Sequence, residues 1–453
     1  MRMRLQLLLL LLGPWLFATA LANPYETTLD NGLRIIVKED RRAPTAVQMV
    51  WYRIGSTDEV DGASGVAHVL EHMMFKGTPT VGPGEFNARV AAAGGRDNAF
   101  TSRDYTAYFQ QVPKEKLAEM MRLEADRMRH LNVDPKEFVQ EIKVVMEERR
   151  MRTDDNPEAK LFEQMNAVAF QLHPYRRPII GWMDDLEAMT AADAKAWYDA
   201  WYVPNNAYVI VSGDVDHAAV FALAKQYYGP LAARPLPPRR QQVEPRQEGA
   251  RRVTVKAPAE LPVLIMGYKA PVLRDIEKDS DPYALQMLAA ILDGHDAARF
   301  NKKLVREDKV ALSAGIDYDS TARGPGMIYL LGTPAAGKTV ADLEAALRAE
   351  IERVRQDGVS AAELKRAKAQ LLASEVYKLD SMFGQAMEIG QIESVGLPYR
   401  QLDRLREKLQ AVSAAEVQAA ASKYFDDDAL TVGVLDPQPL DGKPRRPAIP
   451  TRH

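Results

Sequence analysis

Apolar and polar positions alternate along "NGLRIIVKED" (residues 31–40) and "TAVQMVWYRIG" (45–55) with the two-residue period of half-buried strands, and the short polar gap between them predicts a hairpin. From residue 113 to 171 the apolar residues recur at three- and four-residue intervals among charges, which predicts long amphipathic helices. Further on, "VLIMGYKA" and "GMIYLLG" read as strands, while residues 282–292 and 341–356 read as helices. Strand runs mixed with helix runs predict the α+β class, each domain a mainly antiparallel sheet covered by helices.

The periodicity lapses once, in "AARPLPPRRQQVEPRQEGARR" (232–252), where proline and charge replace any apolar repeat; this predicts a surface linker. On either side of it the chain resembles itself. "LEAMTAADAKAWYDAWYVPNNAYVIVSGDV" from Leu186 aligns with "LQAVSAAEVQAAASKYFDDDALTVGVLDP" from Leu409, 223 positions later, with one single-residue gap near Asn206. Thr190 and Ser413 each precede Ala-Ala and an acid, the signature of a helix N-cap box. Two homologous α+β domains from a tandem duplication follow: residues 23–232 and 252–440, joined by a linker over 233–251 and ending in a tail over 441–453.

Composition narrows the setting. A chain of 453 residues, 46% apolar with a formal charge of −3, suits two or three domains with ample core and gives no sign of nucleic-acid binding. The first 22 residues carry Arg2 and Arg4, an apolar run, and Ala20-Leu21-Ala22, the plan of a secretory signal. No later segment reaches spanning length, so an exported, periplasmic protein without a stable membrane span after signal cleavage is expected; retention of the signal as an anchor is the alternative. With no cysteine in the chain, neither disulfides nor a thiolate ligand is available, and any metal must be held by His, Asp or Glu.

Such a set exists in "GVAHVLEHMMFKGT" (65–78). Over a helix at 66–75, His68, Glu71 and His72 project from one face. Two imidazoles one turn apart can grip a zinc ion, and the glutamate between them can act as general base toward water that the zinc acidifies. The order H-x-x-E-H is that of the inverzincins. The neighbouring Val66, Val69, Leu70, Met73 and Met74 predict a buried helix, in which polar groups need a reason to stand. A third ligand is required, and the acidic helix "EFVQEIKVVMEERRMRTDDNP" offers candidates. Glu141 and Glu148 lie seven residues apart on one face with Glu147 turned away, and spacing alone leaves Glu147 and Glu148 both open.

Together with "GGRDNAFTSRDYTAYF", "LEADRM", "HPYRRPIIGW" and "YVPNNAYVIVSGDVD", these segments resemble the pitrilysin (insulinase) family of zinc metallopeptidases. The likeness runs over nearly the whole chain after the signal and is closest to the shorter members, the mitochondrial processing peptidase β-like and bacterial processing proteases. It implies homologous halves closing around a chamber, one zinc ion held by His68, His72 and Glu148, Glu71 as general base, and Glu141 as the supporting acid behind the ligands, because Glu141 to Glu148 fits the family's E-x6-E pattern. It also implies that "DNAFT" (97–101) is an edge strand on which Asn98, Ala99 and Phe100 bind an extended peptide or unfolded segment.

In one respect the chain departs from the family. Active partners present an arginine and a tyrosine seven residues apart in the second half; here Arg306 fits the first position, and Ser313 stands at the second. A serine cannot reach where a phenol would. This suggests a heterodimer with a paralogous chain that supplies the Arg/Tyr pair, or, as an alternative, a non-catalytic or partner-dependent subunit. A rival from another class comes from "GTPAAGKT" (332–339), which fits the phosphate-loop pattern G-x-x-x-x-G-K-[ST] and would make the chain a nucleotide-binding protein. Pro334 removes a backbone donor from that loop, and the plain expectation is a strand-to-helix turn.

Overall fold

The structure, a computed structural model, describes residues 23–239 and 242–440; the expected signal (1–22) and tail (441–453) lie outside the described residues. The first half contains β1 (Tyr25–Thr28), β2 (Arg34–Glu39), β3 (Thr45–Tyr52), β4 (Arg96–Thr101), β5 (Thr106–Pro113) and β6 (Ala207–Gly213). Helices α1 (Val66–Met73) and α2 (Glu85–Ala92) lie between β3 and β4. Between β5 and β6 come α3 (Leu117–His130), α4 (Pro135–Arg149), α5 (Pro157–Ala169), α6 (Met183–Ala188) and α7 (Ala191–Trp201), and α8 (His217–Tyr227) follows β6. The second half runs β7 (Arg251–Pro258), β8 (Val263–Ala270), α9 (Asp281–Asp293), β9 (Ala311–Tyr318), β10 (Gly326–Pro334), α10 (Val340–Asp357), α11 (Ala361–Leu379), α12 (Met382–Ser394), α13 (Leu402–Ala411), α14 (Ala414–Tyr424) and β11 (Leu430–Gln438).

The strand orders, β1-β2-β6-β3-β5-β4 and β7-β11-β8-β10-β9, coincide once β1 is set aside. The duplication seen in one sequence segment therefore extends through the whole fold. In each sheet the last strand of its half enters between two earlier ones, pairing in parallel with one (β6 with β2, β11 with β7) and antiparallel with the other (β6 with β3, β11 with β8). The expected hairpin of β2 and β3 is corrected accordingly. Both segments form strands, but not half-buried ones: residues 35–37 of β2 and 46–52 of β3 are buried on both faces, and β6, buried along its whole length, takes the central place between them. A run of apolar residues with no polar alternation belongs where both faces are covered. The aligned helices α7 and α14 start alike: the Thr190 hydroxyl accepts from the Asp193 N–H, and Ser413 accepts from Glu416, each reciprocated by the acid.

The halves interlock through one helix each. Leu161 and Met165 of α5, a first-half helix, pack with Val255, Ile265 and Leu435 of the second sheet. In return Ala386, Ile389 and Ile392 of α12 join Trp51, Met49 and Tyr208 of the first sheet in one core. The α12 backbone comes so near that the Gly390 carbonyl accepts from the Tyr208 hydroxyl at 2.7 Å, and Arg34 of β2 pairs with Glu393 at 2.6 Å. Trp51 is fully buried, worth about 3 kcal/mol or more of hydrophobic free energy. The described residues of the expected linker are largely exposed but tethered: Glu244 accepts from the N–H groups of Gln171, Leu172 and His173, and Gln247 donates to the Leu430 carbonyl.

Candidate metal centre

Helix α1 begins abruptly. Gly65 has φ +88°, and a Cβ there would stand 2.6 Å from the Ile180 carbonyl oxygen, so only glycine fits. The buried Glu59 accepts from the N–H groups of Gly65 and Ala67, both at 2.9 Å, which satisfies two of the helix's otherwise unpaired donors. Asp185 accepts from the Ser64 N–H at 3.0 Å, and the Trp182 N–H donates to the Ser64 hydroxyl. Thus fixed, α1 buries Val66, Val69, Leu70 and Met73 in the first-half core and leaves His68, Glu71 and His72 on the face toward α4 and β4.

Helix α4 supplies the other side. Asp134 caps it, Pro135 occupies its first turn, and Phe138, Glu141, Ile142, Val145 and Arg149 form its buried stripe. Arg149 locks its far end by ion pairing with Glu163 at 2.8 Å and donating to the Gly181 carbonyl. Glu148 follows the buried Val145 by three residues, nearly one turn, and so flanks that stripe. Its carboxylate turns to the two imidazoles: His72 Nε2 is 3.3 Å from Oε2, and His68 Nε2 is 3.8 Å from Oε1. Glu147 is exposed and pairs with Arg150, so of the two glutamates left open by spacing, Glu148 is the one turned to the histidines.

Among the described residues, one ligand atom from each of His68, His72 and Glu148 lies within 4.8 Å of the others. Three donors about 2.1 Å from one tetrahedral ion stand about 3.4 Å apart, so this N, N, O set fits zinc and leaves a fourth place open. Behind it, His72 Nδ1 is 2.9 Å from Glu141 Oε1, and the Lys76 ammonium binds the other Glu141 oxygen. Glu71 accepts from the Thr101 hydroxyl at 2.5 Å. Arg152 reaches Glu148 from the open side at 2.5 Å.

The electrostatics differ from group to group. Burial, with the neighbouring His72, pulls His68 down to about 4, which keeps it a neutral donor. Burial acts in the same direction on His72, but hydrogen bonds to Glu141 and Glu148 outweigh it and push that imidazole up to about 9. Burial raises the Glu71 carboxyl, opposed by the Thr101 hydroxyl and His72. Burial also works against charge on Glu141 and Glu148, yet their histidine partners hold both below the usual carboxylate range.

The other expected residues are placed as follows. Asn98, Ala99 and Phe100 lie on β4, which pairs with β5 on one side and ends the sheet on the other. Asn98 is exposed, Ala99 is buried, and Phe100 is half-buried with its ring edge-on to Trp51. Arg306 is exposed on the helical turn before β9, and Ser313 is exposed on β9, the edge strand of the second sheet. Among the described residues no hydrogen bond or ion pair joins Arg306 to the histidine cluster. Tyr318 donates to the Pro271 carbonyl and is committed there. Sequence reasoning does not single out Glu59, Lys76 or Thr101. Only Lys76, four residues after His72 and just past the end of α1, carries a positional signal; Glu59 and Thr101 meet the site from a loop and a strand, where no period applies.

In the loop over 332–339 the Ala335 N–H is spent on Val310, the Lys338 N–H on Ala335 and the Thr339 N–H on Asp342. The Asp342 carboxylate sits at the helix start where a phosphate would have to bind. A second group, Glu39, Asp216 and His217, is also drawn together. It is accounted for by helix capping: Glu39 accepts from the His217 N–H and ring, and Asp216 from the Ala219 N–H.

Comparison with known proteins identifies the family. The family model described as insulinase (peptidase family M16) matches residues 34–182, and that of the peptidase M16 inactive domain matches 188–371. The zinc protease PqqE of Helicobacter pylori is 31% identical over 444 residues, covering 95% of this chain and 97% of that protein. The crystal structure of a protease from Helicobacter pylori superposes with a TM-score of 0.86 at 30% identity, covering 91% of this chain and 99% of that one. The periplasmic protease PqqL from Escherichia coli shares the fold, with a TM-score of 0.78 at 21% identity over 91% of this chain and 47% of its own. The chain therefore belongs to the insulinase family, peptidase family M16, whose members here are zinc proteases.

Proposed function

We propose that the chain is a zinc-dependent endopeptidase that hydrolyses extended peptides or unfolded segments. The observation that carries this reading is the convergence of His68, His72 and Glu148 beside Glu71, at the end of an edge strand that is unpaired on one side among the described residues. His68, His72 and Glu148 would hold the metal, and Glu141 with Lys76 would fix the His72 ring. Zinc, when bound, supplies a Lewis acid that polarises a carbonyl and acidifies water at neutral pH. Glu71 takes the proton from the attacking water and delivers it to the departing amine. Asn98, Ala99 and Phe100 hold the peptide backbone as an added strand, and Arg306 is available to a substrate carbonyl. The signal-like N-terminus and the periplasmic location named for one structural relative support a periplasmic site of action.

Ser313 favours a second reading, a subunit that depends on a paralogous partner for the missing phenol. One experiment addresses both. The zinc-loaded chain, alone and with a candidate partner, is given a flexible peptide; chelation should abolish cleavage and zinc should restore it. Absence of bound zinc in the wild type sinks the proposal, and full activity from the monodisperse single chain removes the need for a partner.

A further inference from the structure

Glu71 stands half-buried beside the histidines, and the only hydrogen bond to its carboxylate among the described residues comes from Thr101. The direction of that bond follows from its neighbours. Thr101 is paired across the sheet with Thr106, whose own hydroxyl donates to the Ile54 carbonyl at 3.0 Å. The two threonine oxygens are 3.5 Å apart, a far weaker contact than the 2.5 Å from Thr101 to Glu71 Oε2. Thr101 is also the last residue of β4, the strand whose outer edge is unpaired among the described residues.

Resting on the endopeptidase reading above, we propose that Thr101 is a positioning residue: its hydroxyl anchors Glu71 Oε2, leaves Oε1 as the oxygen that accepts the proton, and ties the orientation of the base to the strand on which substrate docks. A carboxylate held by one oxygen has its other lone pairs aimed. Without the anchor Glu71 can turn about its side-chain torsions, and proton transfer depends on geometry within hydrogen-bond reach. Peptide pairing along β4 orders the strand that ends in Thr101, so docking and base alignment act together.

Thr101→Val removes the hydroxyl at nearly constant volume, and Thr101→Ser retains it. For Thr101→Val we expect kcat for an extended peptide to fall by about 10- to 100-fold, the loss of one charge-assisted hydrogen bond, with KM and zinc affinity within about twofold of wild type. Thr101→Ser should restore kcat to within about threefold of wild type. Should Thr101→Val fail to fold, Thr101→Ala carries the same comparison with Thr101→Ser. Wild-type kcat in Thr101→Val, or a serine variant as impaired as the valine one, overturns the proposal. A wild type that binds no zinc or cleaves nothing overturns instead the reading on which it rests.

Discussion

Helices α1 and α9 occupy corresponding places in the two halves, following the equivalent strands β3 and β8, and they differ in almost everything but position. Helix α1 puts His68, Glu71 and His72 against α4. Helix α9, "DPYALQMLAAILD", has no histidine or glutamate and buries Tyr283, Leu285, Met287, Leu288, Ile291 and Leu292. The partner helices diverge in the same way. Glu141 and Glu148 on α4 face the histidines, while α11 buries only Ala367 and uses Glu363 to complete its own N-cap and to pair with Arg299. One topology thus stands with the polar cluster and without it. The cluster is an addition to the fold, and removing it should affect chemistry far more than architecture.

The largest effect expected from breaking this difference is at Glu71. Glu71→Gln keeps size and polarity but cannot accept a proton, so kcat should fall by about 10²- to 10⁴-fold with zinc content unchanged. Peptide hydrolysis and metal analysis on the same sample decide it; a variant that retains wild-type kcat excludes Glu71 as the base.

Next in size is the pH dependence of metal uptake. His72 is held protonated up to about 9 by Glu141 and Glu148 in the metal-free protein, whereas His68, at about 4, is already neutral. A ligand must shed its proton to bind, so zinc affinity should rise with pH by up to about tenfold per unit between about pH 7 and about pH 9, then level off. The sign for stability is opposite. His72 is raised above its unfolded value of 6.5, so its ion pairs stabilise the metal-free fold fully below about 6.5 and are lost as pH rises through about 9. Competition with a chelator of known pH behaviour reads the affinity, and a flat profile would mean that Glu141 and Glu148 do not hold the proton on His72 over that range.

What can be read in the sequence follows from locality. The phase of His68, Glu71 and His72, and the seven-residue step from Glu141 to Glu148, are properties of a single helix and appear in the order of the letters. The cap boxes at Thr190 and Ser413 are equally local. Spacing leaves Glu147 and Glu148 open because which face of α4 meets α1 is decided by the tertiary core in which Phe138, Ile142 and Val145 join Val69, Leu70 and Met73. The insertion of β6 between β2 and β3 joins segments far apart in the chain, and a hairpin is the natural reading of adjacent strands. Glu59 and Thr101 reach α1 from loop and strand across the tertiary fold, where no period applies.

A smaller effect separates the two crossings at which the halves interlock. On α12, a Cβ at Gly390 would lie 2.1 Å from the Trp51 ring, which is fully buried and cannot yield. On β11, a Cβ at Gly433 would meet the Leu161 side chain at 3.1 Å, a contact that a small movement relieves. Gly390→Ala should therefore cost about 1–3 kcal/mol and Gly433→Ala less than about 1 kcal/mol in denaturant unfolding. Equal costs would mean that the two crossings are equally tight.

The smallest change concerns the standing cost of the site itself. His68 is buried, and its Nδ1 has no hydrogen-bond partner among the described residues, an arrangement that disfavours the folded metal-free protein. Helix α9 indicates that an apolar side chain is tolerated in such a helix. His68→Leu should accordingly leave the metal-free protein as stable as wild type or more so, by up to about 1 kcal/mol. Zinc reverses the order: at a free concentration of about 100 times its dissociation constant it adds about 2.7 kcal/mol to the wild type and much less to the variant, which has lost a ligand. Thermal or denaturant unfolding with and without zinc tests both signs. A variant that is less stable than wild type in both conditions would mean that His68 supports the fold, and that the two halves differ in architecture as well as in chemistry.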